Sequence, residues 1–332
     1  MINGQKIIAF TPVGRKRYMD LLAAHMKREH DAGHIDEWIL FNNAYMREDS
    51  TYCDQLAAQW DWITVLREKP LVGHDTAGGQ FMWRRPDHIA DFYKFMTQSE
   101  NVIYVRLDDD IVYIDPDCLP RLVKYRLEHP EAFLVFPTIV NNVRTSYHMQ
   151  EQGIVGNWGI RNEMCDEVAW KHRDYVFDLH MKALRAIEEG KLAETLGLRS
   201  EVYTDPSYEA GHISINCFAI LGKDMLDCVV PGDEEGYLSL WRPRDLKRQN
   251  ARCGDALVIH FAYHTQTDFM DKTGLLNDYV KLAPPLDFRT ERLAPDKEGR
   301  EASQPAQPAQ QHRSLRPGIG RYPLQQRPGL KA

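Results

Sequence analysis

Residues 101–115 read NVIYVRLDDDIVYID, an apolar run that delivers three adjacent carboxylates, Asp108, Asp109 and Asp110. Val102, Ile103, Tyr104, Val105 and Leu107 have the composition of a strand buried on both faces, the type found inside a parallel sheet. The acidic cluster then falls at the carboxyl end of that strand, the edge where open α/β sheets bind ligands. Three carboxylates this close raise one another's pKa unless a cation, a ligand or water relieves them. A hard divalent metal such as Mg2+ or Mn2+ is the usual relief; a solvated acidic turn is the plainer alternative. An EF-hand loop is excluded, because counting from Asp108 gives the apolar Ile111, Val112 and Tyr113 in place of alternating ligands and a glycine.

Outward from this stretch, strands and helices alternate. Residues 6–12 (KIIAFTP) read as a first strand, and Tyr18, Leu21, Leu22 and His25 follow at helical spacing. Residues 37–43 and 63–66 are further strands, separated by a polar stretch, and 69–86 read as a loop rich in glycine and proline. Asp87 is placed to cap a helix carrying Ile89, Phe92, Tyr93 and Met96 on one face. After the acidic cluster, 117–128 read as helix, 132–137 as a buried strand, 175–190 as helix, 212–221 as strand, 222–229 as a short helix and 256–264 as a last strand. Residues 141–170, polar and aromatic with weak periodicity, are expected to be a long binding loop. This alternation predicts an α/β domain of Rossmann-like wind, a mainly parallel mixed sheet flanked by helices. Neither a Gly-x-Gly-x-x-Gly nor a P-loop is present.

The chain has 332 residues, 43% of them hydrophobic, enough for one large core. Residues 1–288 are expected to form that domain. Residues 289–332, rich in Pro, Gln, Ala and Arg, have the composition of a disordered tail. From Ala302 onward, Arg313, Arg316, Arg321, Arg327 and Lys331 stand with no acid and carry +5, so a net charge of −7 overall leaves −12 on residues 1–301. An acidic body argues against nucleic acid as a partner, while the basic tail allows peripheral membrane contact. No stretch approaches the ~20 apolar residues of a transmembrane segment and the N-terminus lacks a signal-peptide pattern, so a cytoplasmic location is expected. The six cysteines form no C-x-x-C pair and signal neither a zinc site nor a disulfide framework.

Two downstream features complete the pattern. GDEEGYLSLW (232–241) opens a helix with Asp233, Glu234 and Glu235, and His260 interrupts the apolar strand VIHFAY. With the buried strand and its Asp108-Asp109-Asp110, the chain resembles the nucleotide-diphosphate-sugar glycosyltransferases of the GT-A fold, whose Asp-x-Asp (DXD) motif follows such a strand. VRLDDDIVYID is especially similar to glycogenin-like and galacturonosyltransferase-like members, and His260-Phe261 matches their strand-end His-Phe pair. The resemblance implies a metal-dependent glycosyltransferase, with Mn2+ or Mg2+ gripping the diphosphate of the sugar donor and a glycan or other hydroxyl as acceptor. A role in surface polysaccharide biosynthesis is consistent with it. It implies Asp110 and His260 as metal ligands, Asp108 as a ligand directly or through water, and Asp109 as a nucleotide contact. Thr11, Pro12 and Arg15 would lie under the nucleotide, and Arg84, Arg85 and Arg106 would meet its phosphates.

Inverting members carry a general base in an x-Asp-x-Glu element, a shape that residues 232–235 match; this makes Asp233, with Glu234 beside it, the catalytic candidate and favours inversion. The glycogenin-like resemblance implies retention instead, and the lysine- and tryptophan-containing segment usual after the histidine is absent. Two other readings stay open. Asp108, Asp110 and Val112 also satisfy the Asp-x-Asp-x-Thr/Val pattern of haloacid-dehalogenase phosphatases, and the aromatic stretch around Trp158 would suit a non-catalytic carbohydrate-binding protein.

Overall fold

The structure is a computed structural model that describes residues 2 and 4–286, apart from 45, 68–72, 76–80, 84–88, 97–98, 164–165, 204–212 and 226–232. The expected tail, Arg84 and Arg85 all lie outside the described residues. The strands are β1 (Lys6–Val13), β2 (Glu37–Asn42), β3 (Ile63–Leu66), β4 (Gly73–Asp75), β5 (Phe81–Trp83), β6 (Val102–Leu107), β7 (Ile111–Ile114), β8 (Ala132–Val140), β9 (Glu201–Val202), β10 (Cys217–Leu221) and β11 (Gln249–His260). Nine of them form one sheet in the order β3-β2-β1-β6-β10-β8-β11-β7, with β9 beside β11; β4 and β5 form a separate hairpin. The pairings make β1, β2, β3, β6, β8 and β11 run one way and β7, β9 and β10 the other. The sheet is therefore mixed and mostly parallel, within an α/β fold flanked by helices.

β6 is buried at every position, which is why its sequence is continuously apolar apart from Arg106. Helices Lys16–Asp31 and Arg47–Gln59 connect β1 to β2 and β2 to β3. Tyr18, Leu21, Leu22 and His25, the expected apolar face, are all buried. The second helix was hidden by its polar content: it buries Ser50, Tyr52, Cys53 and Leu56, a face with only one aliphatic residue.

The expectation of a structureless loop over 141–170 needs correcting. Residues Val143–Glu151 and Glu167–Lys171 are helices. Asn142 caps the first by accepting from Arg144 N at 3.1 Å, and its buried face is filled largely by polar residues, Arg144, Thr145 and Ser146. Those residues erase the hydrophobic period by which a helix is read. Residues 69–86 are likewise not all loop, since β4 and β5 pair antiparallel there.

Only three residues separate β6 from β7, although three strands lie between them in the sheet. Four strand spacings of about 4.8 Å would need about 19 Å on a flat sheet, whereas four residue steps cover at most about 14 Å. The sheet must therefore curl. β11 supplies a bend, because its register against β8 shifts between Cys253 and Leu257. Gly254 sits in that shift: a Cβ there would lie 1.8 Å from the Leu198 carbonyl oxygen. Its own carbonyl accepts from Thr138 Oγ1 at 2.7 Å and from Leu198 N at 3.0 Å.

The curl gathers one edge. The carboxyl ends of β1, β6, β8 and β11 meet there, joined by the amino ends of the reversed strands β7 and β10. Among the described residues no helix is long and apolar enough to cross a membrane, and Cys53, Cys118, Cys217 and Cys253 are buried free thiols.

Candidate active site at the curled sheet edge

The three aspartates leave the end of β6 and fan out to three different elements. Asp108 turns back to its own strand and to β10: its Oδ1 accepts from Arg106 Nε at 3.1 Å and Nη2 at 2.9 Å, and its Oδ2 accepts from Asn216 Nδ2 at 3.2 Å. Asp109 faces the end of β1, where Gly14 N donates to its Oδ2 at 2.8 Å and Arg15 Nη2 bonds its Oδ1. Asp110 faces β11. Its Oδ2 lies 3.3 Å from His260 Nε2 and 2.8 Å from Arg15 Nη2, and its carbonyl accepts from Phe261 N at 2.9 Å.

His260 is 2% exposed and comes 150 positions after Asp110 in the chain, yet β11 places it beside that carboxylate. Its Nδ1 hydrogen bonds the Asn141 carbonyl at 2.9 Å. A carbonyl only accepts, so Nδ1 carries the proton and Nε2 is the nitrogen turned toward Asp110. Asn141, just past β8, has φ 63°, a left-handed conformation that asparagine tolerates better than most residues. Its side-chain nitrogen donates to Phe261 O at 3.1 Å and Gln266 Oε1 at 3.0 Å.

Electrostatics differ among the three. Burial would raise Asp110, but the neighbouring His260 and Arg15 overcome it and hold the carboxyl well below the usual range. Burial raises Asp108 and Asp109 despite the arginine beside each. For His260, burial alone would lower the imidazole; Asp110 reverses this and the net direction is upward.

Arg106, expected at a phosphate, is an internal bridge and needs correcting. It is 4% exposed, and beyond its bonds to Asp108, Nη1 bonds Glu234 Oε1 and lies 3.2 Å from the Tyr93 hydroxyl. Tyr93 also donates to Glu234. Every nitrogen of the guanidinium is thereby engaged within the protein. Glu234, expected beside the base, is the other end of this bridge. Asp233 is exposed and caps its helix, accepting from Gly236 N at 3.0 Å, so the residue expected to remove a proton has a local structural job. Thr11 and Pro12 are interior residues of β1, and the Thr11 hydroxyl accepts from Trp38 Nε1 at 3.0 Å; they line the core under the edge and do not open onto it.

Several residues of the site were given no role from sequence. Glu235, named only as part of the 232–235 element, lies within the field of Asp108 and Tyr263; burial, with Asp108 adding to it, pushes its carboxyl up to about 7. Asn216 joins Asp108 to Asn142, whose Nδ2 donates to Asn216 Oδ1 at 3.1 Å. It precedes β10, and only the reversed direction of that strand brings its start to this edge. Gly14 acts through its backbone, which no side-chain pattern reveals. Beside Arg15 opens a cleft of about 500 Å³, lined by Arg15, Lys16, Arg17, Asp20, Glu48 and Asp49.

Among the described residues, no group of three or more His, Cys, Asp or Glu is arranged to hold a metal ion. Two donors do fit one. Asp110 Oδ2 and His260 Nε2 converge, and the Nδ1 bond to Asn141 fixes the histidine tautomer as metal-binding histidines require. An Mg2+ or Mn2+ ion held by one or two protein groups completes its shell with water and substrate phosphates.

No protein-family model matches the chain, and no curated protein does. Solved structures give partial likenesses. CMP:2-keto-3-deoxy-manno-octonic acid synthetase in complex with CTP aligns at 9% identity over 82% of this chain and 98% of that one, with a TM-score of 0.41. Glucosyl-3-phosphoglycerate synthase from Mycobacterium tuberculosis, in complex with Mn2+, uridine diphosphate and glucosyl-3-phosphoglycerate, aligns at 14% identity over 63% and 76%, with a TM-score of 0.29. The 4-diphosphocytidyl-2C-methyl-D-erythritol synthase from Anaerococcus prevotii aligns at 12% identity over 43% of this chain, with a TM-score of 0.27, and the chain spans only 57% of its length. The likenesses are thus to nucleotidyltransferases and to a glycosyltransferase, and at these identities they carry no chemistry over to this chain.

Proposed function

We propose that the protein is a metal-dependent glycosyltransferase that moves a sugar from a nucleotide-diphosphate donor to a hydroxyl acceptor. The observation that carries this reading is the meeting of Asp110 and His260 at the carboxyl edge of the sheet, with an arginine and a polar cleft alongside. Asp110 and His260 would hold Mg2+ or Mn2+, and Asp108 and Asp109 would keep that pair in place from either side. When bound, the ion supplies Lewis-acid neutralisation of charge on the departing diphosphate.

The chain's own residues do the rest. Arg15 borders both the acidic turn and the cleft, and suits a phosphate group. Glu235 rather than Asp233 is the general base of this proposal, because its carboxyl lies within the field of Asp108 of the acidic turn, whereas Asp233 is exposed and caps a helix. A half-buried carboxylate near the acidic turn, with its proton affinity matched to neutral pH, can accept the proton of an acceptor hydroxyl. This supports an inverting displacement. A phosphatase that uses Asp108 as nucleophile is disfavoured, since both carboxylate oxygens are hydrogen bonded to Arg106 and Asn216.

The test is a panel of nucleotide diphosphates and their sugars, screened with and without Mn2+ by thermal shift, since a ligand that binds only the folded state raises its stability. Metal-dependent stabilisation that disappears in Asp110→Ala is expected. Equal stabilisation of the wild type without metal would overturn the proposal. A nucleotidyltransferase would instead respond to the nucleoside triphosphate and release pyrophosphate.

A further inference from the structure

Arg15 stands where a cation is wanted. Its Nη2 bonds Asp109 and lies 2.8 Å from Asp110 Oδ2, the same oxygen that faces His260 Nε2. The partners are unequal: the Arg15 side chain is 40% exposed, whereas those of Asp109 and Asp110 are 5% and 6% exposed. The carboxylates are fixed and the guanidinium is the end that can leave. Asp109 does not depend on Arg15 for its position, because Gly14 N holds it independently at 2.8 Å. Two other surroundings are ready for the departed side chain. Its guanidinium lies 4.9 Å from the centre of the Tyr18 ring, and Arg15 already lines the cleft beside it. Arg106 makes the contrast: equally close to an aspartate, it is enclosed and tied at every nitrogen.

We infer that Arg15 is an exchangeable counter-cation. In the metal-free protein it neutralises the Asp109–Asp110 pair; it must leave Asp110 Oδ2 before a divalent ion can take that oxygen. On leaving, it turns into the cleft, and its charge becomes available to a diphosphate. The inference rests on the metal-site reading and deepens it, since it names the residue that couples occupancy of Asp110 to recognition of phosphate. The coupling has a definite sign. Removing Arg15 strengthens binding of the cation it competes with and weakens binding of the anion it is released to meet.

Calorimetric titration of the full chain with MnCl2 alone, and then with inorganic pyrophosphate at saturating Mn2+, tests this. R15Q is expected to bind Mn2+ about two- to fivefold more tightly than wild type, the scale of a partly exposed ion pair, and pyrophosphate at least about tenfold more weakly. R15K, which keeps the charge, is expected between the two, and carries the same test should R15Q fail to fold. If wild type binds Mn2+ and Asp110→Ala does not, yet R15Q binds it with equal or lower affinity, the exchange is refuted and the metal site stands. If neither wild type nor any Arg15 variant binds Mn2+, the metal site falls and the exchange with it.

Discussion

Arg106→Met is the most informative perturbation of the candidate site. Arg106 is 4% exposed and its guanidinium lies between Asp108 and Glu234, whose side chains are 23% and 13% exposed. Methionine preserves the length and the apolar stem but leaves two half-buried carboxylates without their cation. Breaking a buried pair from one side costs about 3–5 kcal/mol. Here Asp108 keeps Asn216 and some solvent, and Glu234 keeps Tyr93, so the lower end, about 3 kcal/mol, is expected. For a domain of this size that lowers Tm by roughly 5 °C. The assay is urea denaturation near pH 7, with a double-mutant cycle against Glu234→Gln. The double variant is expected to recover part of the loss, since only one carboxylate then remains uncompensated. Lowering the pH is expected to narrow the gap between Arg106→Met and wild type as the carboxylates protonate. A single variant within about 0.5 kcal/mol of wild type, the range of an ordinary surface change, would refute the view that Arg106 is a charge bridge.

Other predictions follow from separate parts of the molecule. Glu235→Gln is expected to lower Mn2+-dependent donor turnover about 10²- to 10⁴-fold while leaving Mn2+ binding intact; release of nucleoside diphosphate from the donor measures the first and calorimetry the second. Gly254→Ala is expected to destabilise the fold strongly, because its Cβ would meet the Leu198 carbonyl at 1.8 Å; thermal melting or loss of soluble expression reports it. His25 is fully buried, and burial pushes its imidazole down to about 3 from an ordinary 6.5. The unfolded chain therefore binds the extra proton between those values, so the stability is complete above about pH 6.5 and falls toward pH 3 by up to about 1.4 kcal/mol per unit. Denaturation of His25→Leu is expected to show a flatter pH dependence across that window.

The acidic strand was legible because burial on both faces forces a continuous apolar run, and a charged turn at its end stands out against it. β1 and β2 were readable for the same reason, and the helix after β1 by the helical spacing of its buried face. The helices at 47–59 and 143–151 were not, since their buried faces use Ser50, Arg144, Thr145 and Ser146, polar residues that leave no hydrophobic period to read. The meeting of Asp110 with His260 was expected from a family resemblance; no local pattern contains it. The duties of Arg106 and Asp233 could not be read at all. A charge at a sheet edge has the same one-letter code whether it faces a ligand, a neighbouring carboxylate or a helix end.

The turn Asp108-Asp109-Asp110 is also the strap by which a curled sheet is closed. Joining β6 to β7 over three residues makes the docking of β7 an intramolecular event with little loop entropy to lose, so these residues hold the two flanks together whatever their side chains do. Their identity and their number are therefore under different constraints. Each carboxylate can be exchanged for another group of similar shape with the sheet still closed, at the expense of one contact to β1, β10 or β11. Adding or deleting a residue would shift β7 by one position against β11, carrying either Ile111 or Val112 out of the buried cluster it now fills and into the other. Redesign of this edge can vary its chemistry residue by residue, but the length of the strap is set by the architecture.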